Sequence, residues 1–295
     1  MTVRLLHLTD PHLSSLAGVS PCALQGKRAL GFLSWWSKRR HHLSAATLAR
    51  VTHAAGLEGA ALALVTGDLV HIGLPQELRQ ARAWLDTLAA TQPVVLVPGN
   101  HDCYRADAVR GIEQQWLAYL HGDAGTGSAT FPRLVTCDEV SIIALSSAEP
   151  RPWWSAGGCL GAAQRAALER LLARTAGSFR CVMLHHAPLV EQAPARKGLA
   201  DAAELTALLR RAKVELVLHG HLHHNAMQVL DQRTRIVVTA PASSTVASNP
   251  ASYRIFEIAR DGVDWQIACT LKCEQADGQM AIHTRESWTV PIALM

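Results

Sequence analysis

Five short apolar runs in this chain each end in a tight polar turn carrying Asp, His or Asn, and that recurrence constrains the fold more than any other feature. LLHL leads into Thr9-Asp10-Pro11-His12, and LALV into Thr66-Gly67-Asp68. VVLV leads into Pro98-Gly99-Asn100-His101-Asp102, and CVML into His185-His186-Ala187-Pro188. ELVL leads into His219-Gly220-His221-Leu222-His223-His224. Continuous apolar runs of four to six residues read as strands buried on both faces. Helical patterns at 43–56, 75–90, 107–120, 161–174 and 200–213 lie between strand-like runs at 3–8, 61–65, 94–97, 141–145, 181–184 and 215–218. That alternation predicts an α/β architecture with largely parallel central strands. Beyond residue 214 the helical patterns stop. Runs at 235–239, 253–258 and 263–270 read as further strands, with Asp261-Gly262 turning between the last two. Stretches 122–130 and 153–161 read as long surface loops, and 272–295 has no clear periodicity.

Composition narrows the class. The chain has 295 residues, 49% hydrophobic and 18% charged, which excludes a mainly disordered protein. No apolar run approaches the ~18 residues of a membrane-spanning helix. The N-terminus reaches Asp10 without a secretory apolar region, and seven cysteines show no paired spacing, so a cytoplasmic location is expected. The net charge of +4 is unevenly placed. Segment 11–57 contains no acidic residue but holds Lys27, Arg28, Lys38, Arg39, Arg40 and Arg50, leaving 22 basic against 24 acidic residues elsewhere. Its centre, GKRALGFLSWWSKRRHHL, mixes these cations with Leu, Phe and Trp. As a helix it would align Ala29, Phe32, Leu33 and Trp36 on one face. That chemistry suits either a core-packed helix with a solvated basic edge or a helix lying on an anionic membrane.

In open α/β sheets ligands bind just beyond the carboxyl ends of the strands. Five strand ends that each deliver Asp, His or Asn therefore assemble one site. Single members have ordinary readings: Asp10 as a turn cap, Asp68 as an Asx turn, Asn100 as turn chemistry, His185 as a buried structural histidine and His7 as a strand residue. Together, imidazoles, carboxylates and one amide without a thiolate select divalent Mn, Fe, Co or Zn. About seven ligands exceed one tetrahedral site and suit two metals, which serve hydrolysis at phosphorus.

The ordered motifs D-x-H, G-D, G-N-H-D, an apolar strand ending in His, and G-H-x-H resemble the calcineurin-like metallophosphoesterases. The resemblance implies a four-layer α/β/β/α sandwich with the metal site at the C-terminal ends of the central strands. It implies one divalent metal (Mn first; Fe, Zn or Co otherwise) held by Asp10, His12, Asp68 and His223. A second would be held by Asp68 as bridge, Asn100, His185 and His221. A hydroxide between them would attack phosphorus, with His101 as the catalytic residue that stabilises the transition state or protonates the leaving oxygen. The domain so implied covers 1–271, including a basic Trp-containing insertion at 20–44, with 272–295 as an extension.

Departures narrow the substrate. Phosphoprotein phosphatases of this superfamily carry Asp and Arg shortly after G-D, where this chain has His71 and Ile72. A small-molecule or lipid phosphoester is therefore expected, with His71, His186, Arg28, Trp35, Trp36 and Arg39 as substrate contacts. A cap bearing two Trp and a cationic rim is architecturally similar to that of the lipid A pathway pyrophosphatases that cleave UDP-2,3-diacylglucosamine. That implies peripheral action at the inner face of the membrane. A cyclic-nucleotide or glycerophosphodiester phosphodiesterase is the alternative, and a non-catalytic scaffold the second. Nucleic acid is disfavoured, since six charges make a small footprint and no nucleic-acid module accompanies them.

Overall fold

The computed structural model describes residues 1–120 and 131–293. In chain order its elements begin with β1 (Thr2–Leu8), α1 (Lys27–Ser37), α2 (Ala45–Gly56), β2 (Leu62–Val65), α3 (Pro75–Ala89), β3 (Val94–Leu96) and α4 (Ala106–Gln115). The second half holds β4 (Arg133–Cys137), β5 (Val140–Ala144), α5 (Gly161–Arg174), β6 (Phe179–Met183), α6 (Ala202–Ala212), β7 (Leu216–His219), β8 (Ala226–Val229) and β9 (Arg235–Val238). The chain closes with β10 (Thr245–Val246), β11 (Asn249–Pro250), β12 (Ser252–Asp261), β13 (Asp264–Glu274) and β14 (Met280–Pro291).

Two six-stranded sheets, ordered β14-β13-β12-β1-β2-β3 and β4-β5-β6-β7-β9-β8, pack face to face. Between them lie Leu5, Leu64 and Val95 of the first sheet against Ile142, Cys181 and Leu218 of the second. The outer face of the first sheet, Leu6, Ala63 and Leu96, is covered by Leu48 and Val51 of α2 and Leu85 and Leu88 of α3. On the second sheet, Ile143, Val182 and Val217 pack against Leu168 and Leu172 of α5 and Leu205 and Leu209 of α6. This is the expected α/β/β/α sandwich. Coverage on both faces explains why the central strands read as unbroken apolar runs.

Three elements depart from the sequence reading. The helix expected over 107–120 ends at Gln115, where fully buried Trp116 turns the chain into a short 3₁₀ turn at Leu117–Tyr119. The stretch expected to be an extension from residue 272 instead completes β13 and forms β14, which pairs antiparallel with β13 from Asp264↔Pro291 to Glu274↔Met280. Most of β14 is exposed at the sheet edge, so it shows no apolar alternation. Lastly, α1 buries Arg28, Gly31 and Trp35, not the face of Ala29, Phe32, Leu33 and Trp36. Trp35 fills a small core with Leu16, Ile72, Leu74 and Tyr104, while Leu30, Leu33 and Trp36 face outward. The loop expected over 122–130 lies outside the described residues.

A polar clasp joins the sheets. His7 on β1 is fully buried, its Nε2 2.9 Å from Thr66 Oγ1 and its Nδ1 2.9 Å from Thr239 Oγ1. Burial, then the nearby Arg254, lowers its pKa from 6.5 to about 3. Because that folded value lies below the unfolded one, the unfolded chain takes the proton first as pH falls below 6.5. Native stability is therefore lost between pH 6.5 and about 3. Urea unfolding of metal-free protein across this range will show a decline to which His7 contributes up to about 1.4 kcal/mol per pH unit. His7→Gln should flatten it, and an unchanged slope would mean His7 is not held neutral.

Candidate metal centre

The five motif turns leave their strands at one edge of the sandwich, and the two sheets share the work. β1, β2 and β3 of the first sheet lead into Asp10, His12, Asp68 and Asn100, while β6 and β7 of the second lead into His185, His221 and His223. Asp10, His12, Asp68, His221 and His223 all adopt left-handed backbone, with φ of 50°, 42°, 55°, 70° and 56°. Such conformations cost about 1–3 kcal/mol each in residues other than glycine. Their concentration here turns side chains sharply off the strand ends. Close backbone approach is needed as well: a Cβ at Gly99 would collide with the Asp68 carboxylate, and one at Gly220 with Thr9 and Asp10.

The histidine rings are oriented from behind. Nδ1 of His12 donates to the Val70 carbonyl at 3.0 Å, and Nδ1 of His185 donates to the Thr66 carbonyl at 2.7 Å. That tautomer leaves each Nε2 lone pair facing the centre. His12 Nε2 stands 3.4 Å from His223 Nε2, and His185 Nε2 stands 3.4 Å from Asp68 Oδ2 and 3.2 Å from Asn100 Oδ1. Asp10 accepts hydrogen bonds through Oδ2 from Thr9 Oγ1 (2.6 Å) and the His221 backbone N–H (3.0 Å). Its Oδ1 lies 3.3 Å from His223 Nε2. Asp68 Oδ1 accepts from the His101 backbone N–H at 2.7 Å.

The ligand atoms form two overlapping groups. Asp10, His12, Asp68 and His223 make one, Asp68, His185 and His221 the other, with the atoms of each group within 4.8 Å of one another. Asp68 belongs to both, and Asn100 joins the second through its contact with His185. Asp10 Oδ1 and His221 Nε2 are buried without a hydrogen-bond partner. Acceptor atoms packed against acceptor atoms, two of them orphaned, fit divalent cations and little else. Without a cation a proton substitutes. Burial opposes charge on His185, yet the Asp68 and Asp10 carboxylates raise its pKa to about 9. Burial likewise resists ionisation of Asp68, but the charge and hydrogen bond of His185 hold it down to about 2.

A cavity of about 360 Å³ opens over this centre, with Asp68, Asn100, His101 and His221 on its floor and Arg39, His42 and Lys197 at its walls. His101 Nδ1 lies 2.5 Å from the His71 carbonyl and 3.2 Å from Arg39 Nη1. Burial, then the Arg39 charge, pushes the His101 pKa well below the ordinary histidine range. His71 is buried and stacks on His12, ring centroids 5.1 Å apart and nearly parallel.

The other expected substrate contacts divide. Arg39 reaches the cavity. His186 is buried behind His221, ring centroids 4.8 Å apart, with Nδ1 2.9 Å from Ser147 Oγ and Nε2 3.1 Å from the Ala156 carbonyl, so it supports the site from behind. Arg28 is not a cavity residue. It donates to the Ile72 and Gly73 carbonyls and pairs with Asp107 at 2.9 Å, pinning α1 to the loop after β2. Trp35 is absorbed into the small core, and Trp36 is exposed, with the Arg40 guanidinium 3.8 Å above its ring.

Three residues near the site had no signal of their own. His42 and Lys197 belong to no motif and reach the cavity only through the path of their loops. Asp102 stands within a motif but spends both carboxylate oxygens on backbone N–H groups. Its Oδ1 accepts from the Leu69 and Val70 N–H groups at 2.8 and 3.1 Å, and its Oδ2 from Gly99 N–H at 2.8 Å. It thereby fastens the loop of Asp68 to the loop of Asn100.

Residues 3–225 match the model of the family described as Calcineurin-like phosphoesterase. A stretch of 164 residues, 54% of this chain, is 30% identical to a cAMP/cGMP dual specificity phosphodiesterase of Mycobacterium tuberculosis (strain CDC 1551 / Oshkosh). The match spans 48% of that relative, so the chain spans about half the length of the curated relative it matches. Among solved structures, a dimetal phosphatase from Danio rerio superposes with a TM-score of 0.64 at 14% identity, covering 98% of this chain and 99% of that one. The purple acid phosphatase PPD1 from yellow lupin (Lupinus luteus) seeds superposes with a TM-score of 0.62 at 15% identity, covering 99% of this chain and 54% of that one. At such identities these likenesses show the fold alone.

Asp102→Ala would strand three buried N–H groups at once. With ~1–3 kcal/mol for each lost acceptor, the variant should unfold at least ~3 kcal/mol more easily in urea, and Asp102→Asn by less. A change within error would show that water replaces the carboxylate.

Proposed function

Because the chain belongs to the calcineurin-like phosphoesterase family, we propose that this centre binds two divalent cations and hydrolyses a phosphodiester or pyrophosphate bond. The observation that carries the reading is the pair of ligand groups sharing Asp68. Asp10, His12, Asp68 and His223 hold one cation, and Asp68, Asn100, His185 and His221 the other. Manganese is the first choice for this oxygen- and nitrogen-rich set, with iron, zinc or cobalt next. Two cations so placed supply Lewis acidity, lowering the pKa of water toward ~7 and neutralising charge on the phosphate oxygens.

The chain's own residues do the rest. Arg39 and Lys197 draw the anionic substrate into the cavity and orient it. His101, braced through Nδ1 on the His71 carbonyl, keeps Nε2 for the leaving oxygen. In the free protein it is neutral. An entering phosphate anion offsets the Arg39 charge and so favours the protonated ring. His71 sets the position of His12 by stacking and that of His101 by its carbonyl.

The preferred substrate is an amphiphilic nucleotide-lipid such as UDP-2,3-diacylglucosamine, taken at the inner face of the membrane by a protein of cytoplasmic location. Support comes from the exposed Leu30, Leu33 and Trp36 on the helix whose following turn carries Arg39 to the cavity. No helix among the described residues is long and apolar enough to cross a membrane. The second reading is a cyclic-nucleotide or glycerophosphodiester phosphodiesterase, and the mycobacterial relative favours its cyclic-nucleotide form. A non-catalytic scaffold is the third, and it is disfavoured because each expected ligand position is filled.

Metal analysis followed by bis-p-nitrophenyl phosphate hydrolysis, with and without manganese, tests the centre. Asp68→Ala should lose both cations together with activity, and retention of a full metal complement would refute the bridge. His101→Ala should keep its metals while turnover falls ~10²–10⁴-fold. Loss of metal from that variant would remove His101 from the acid role. A panel of UDP-2,3-diacylglucosamine, cyclic AMP and glycerophosphodiesters, with and without detergent, separates the substrate readings. Turnover of the water-soluble diesters far above any lipid selects the second, and inertness with metals bound selects the scaffold.

A further inference from the structure

We infer that the outer side of α1 and the Trp153-Trp154 loop together form one docking face for an anionic phospholipid bilayer, onto which the catalytic cavity opens. The three tryptophans classed as exposed among the described residues, Trp36, Trp153 and Trp154, all lie here, at 48%, 66% and 60% exposure. Leu30, Leu33 and Trp36 recur at i, i+3 and i+6 along one side of α1, with the leucines 49% and 61% exposed. Leu30 and Trp153 both line a single groove of about 560 Å³, so the helix and the loop make one surface. Lys27 ties them, its Nζ donating to the Arg151 carbonyl at 3.1 Å and the Tyr104 carbonyl at 3.3 Å.

This face reaches the cavity from both sides. Arg39 comes three residues after Trp36, Ala156 comes two after Trp154, and both line the cavity. The Ala156 N–H donates to the Arg196 carbonyl at 2.9 Å, which sets exposed Arg196 and Lys197 beside the Trp loop.

Charge selects the occupant. Lys27, Lys38, Arg40, Arg105, Arg151 and Arg196 border the apolar residues. The facing acids are Asp107, paired with Arg28 and Arg105, and Glu149, paired with Arg151 at 2.6 Å. An excess of cations around exposed Trp and Leu matches anionic headgroups above an acyl boundary. A second copy of the chain would oppose cations with cations, which disfavours self-association through this face. The inference deepens the amphiphilic-substrate reading and rests on it for its purpose, but binding and hydrolysis are measured separately.

The test is flotation of the metal-loaded 295-residue chain with phosphatidylglycerol–phosphatidylcholine vesicles against phosphatidylcholine alone, at low and high salt. Binding should favour the anionic vesicles, weaken with salt, and fall at least about tenfold in the triple variant Leu33→Glu, Trp153→Ser, Trp154→Ser. Circular dichroism and bis-p-nitrophenyl phosphate turnover of that variant should match wild type, since none of the three residues lies in the cavity. No binding, equal binding to neutral vesicles, or undiminished binding by the variant would overturn the inference. So would light scattering that shows a wild-type dimer dissolved by the same substitutions. Vesicle binding without hydrolysis of any phosphoester would uphold the docking face and defeat the catalytic reading. Hydrolysis without vesicle binding would do the reverse.

Discussion

Two carboxylates buried among imidazoles hold the logic of this protein. Asp10 and Asp68 are at most 1% exposed, and ionised groups at such depth are stable only when their charge is answered. His185 answers it in part, since the Asp68 and Asp10 carboxylates raise its pKa to about 9. Asp10 Oδ1 and His221 Nε2 remain without hydrogen bonds, which leaves room for cation coordination. Left-handed backbone at five ligand positions is the conformational cost of that arrangement, and the packed sandwich beneath offsets it.

The centre belongs to neither sheet. Asp68 and Asn100 come from one and His185 and His221 from the other, so the geometry depends on how the sheets register face to face. Buried polar contacts near the strand ends maintain that register. His7 joins Thr66 to Thr239, and His185 of the second sheet donates to the Thr66 carbonyl of the first. Asp102 plays the corresponding part between two loops of one sheet. Helix α1 and its following turn rest on their own small core of Leu16, Trp35, Ile72, Leu74 and Tyr104.

Much of this was legible in the chain. Strands with helices on one face and a second sheet on the other must be apolar throughout, so LALV and CVML announce themselves, and the polar turns that follow mark the ligand edge. Less legible was α1, where both sides are apolar. Periodicity supplies a repeat but no origin, and Arg28 and Trp35 prove to be the buried pair while Leu30, Leu33 and Trp36 stay outside. Strand β14 was invisible for the opposite reason. An edge strand largely exposed on both faces has no alternation to read, and only its pairing with β13 makes it a strand.

Local physics therefore determined, from sequence alone, which residues end strands, which turn sharply and which donor chemistry gathers at one edge, because these depend on neighbours a few residues away. Only the tertiary structure decided that Arg39, His42 and Lys197 border the same cavity, that His71 stacks on His12, and that Leu30 and Trp153 line one groove. Those relations join segments far apart along the chain. They are set by how sheets, helices and loops pack, which no run of adjacent residues encodes.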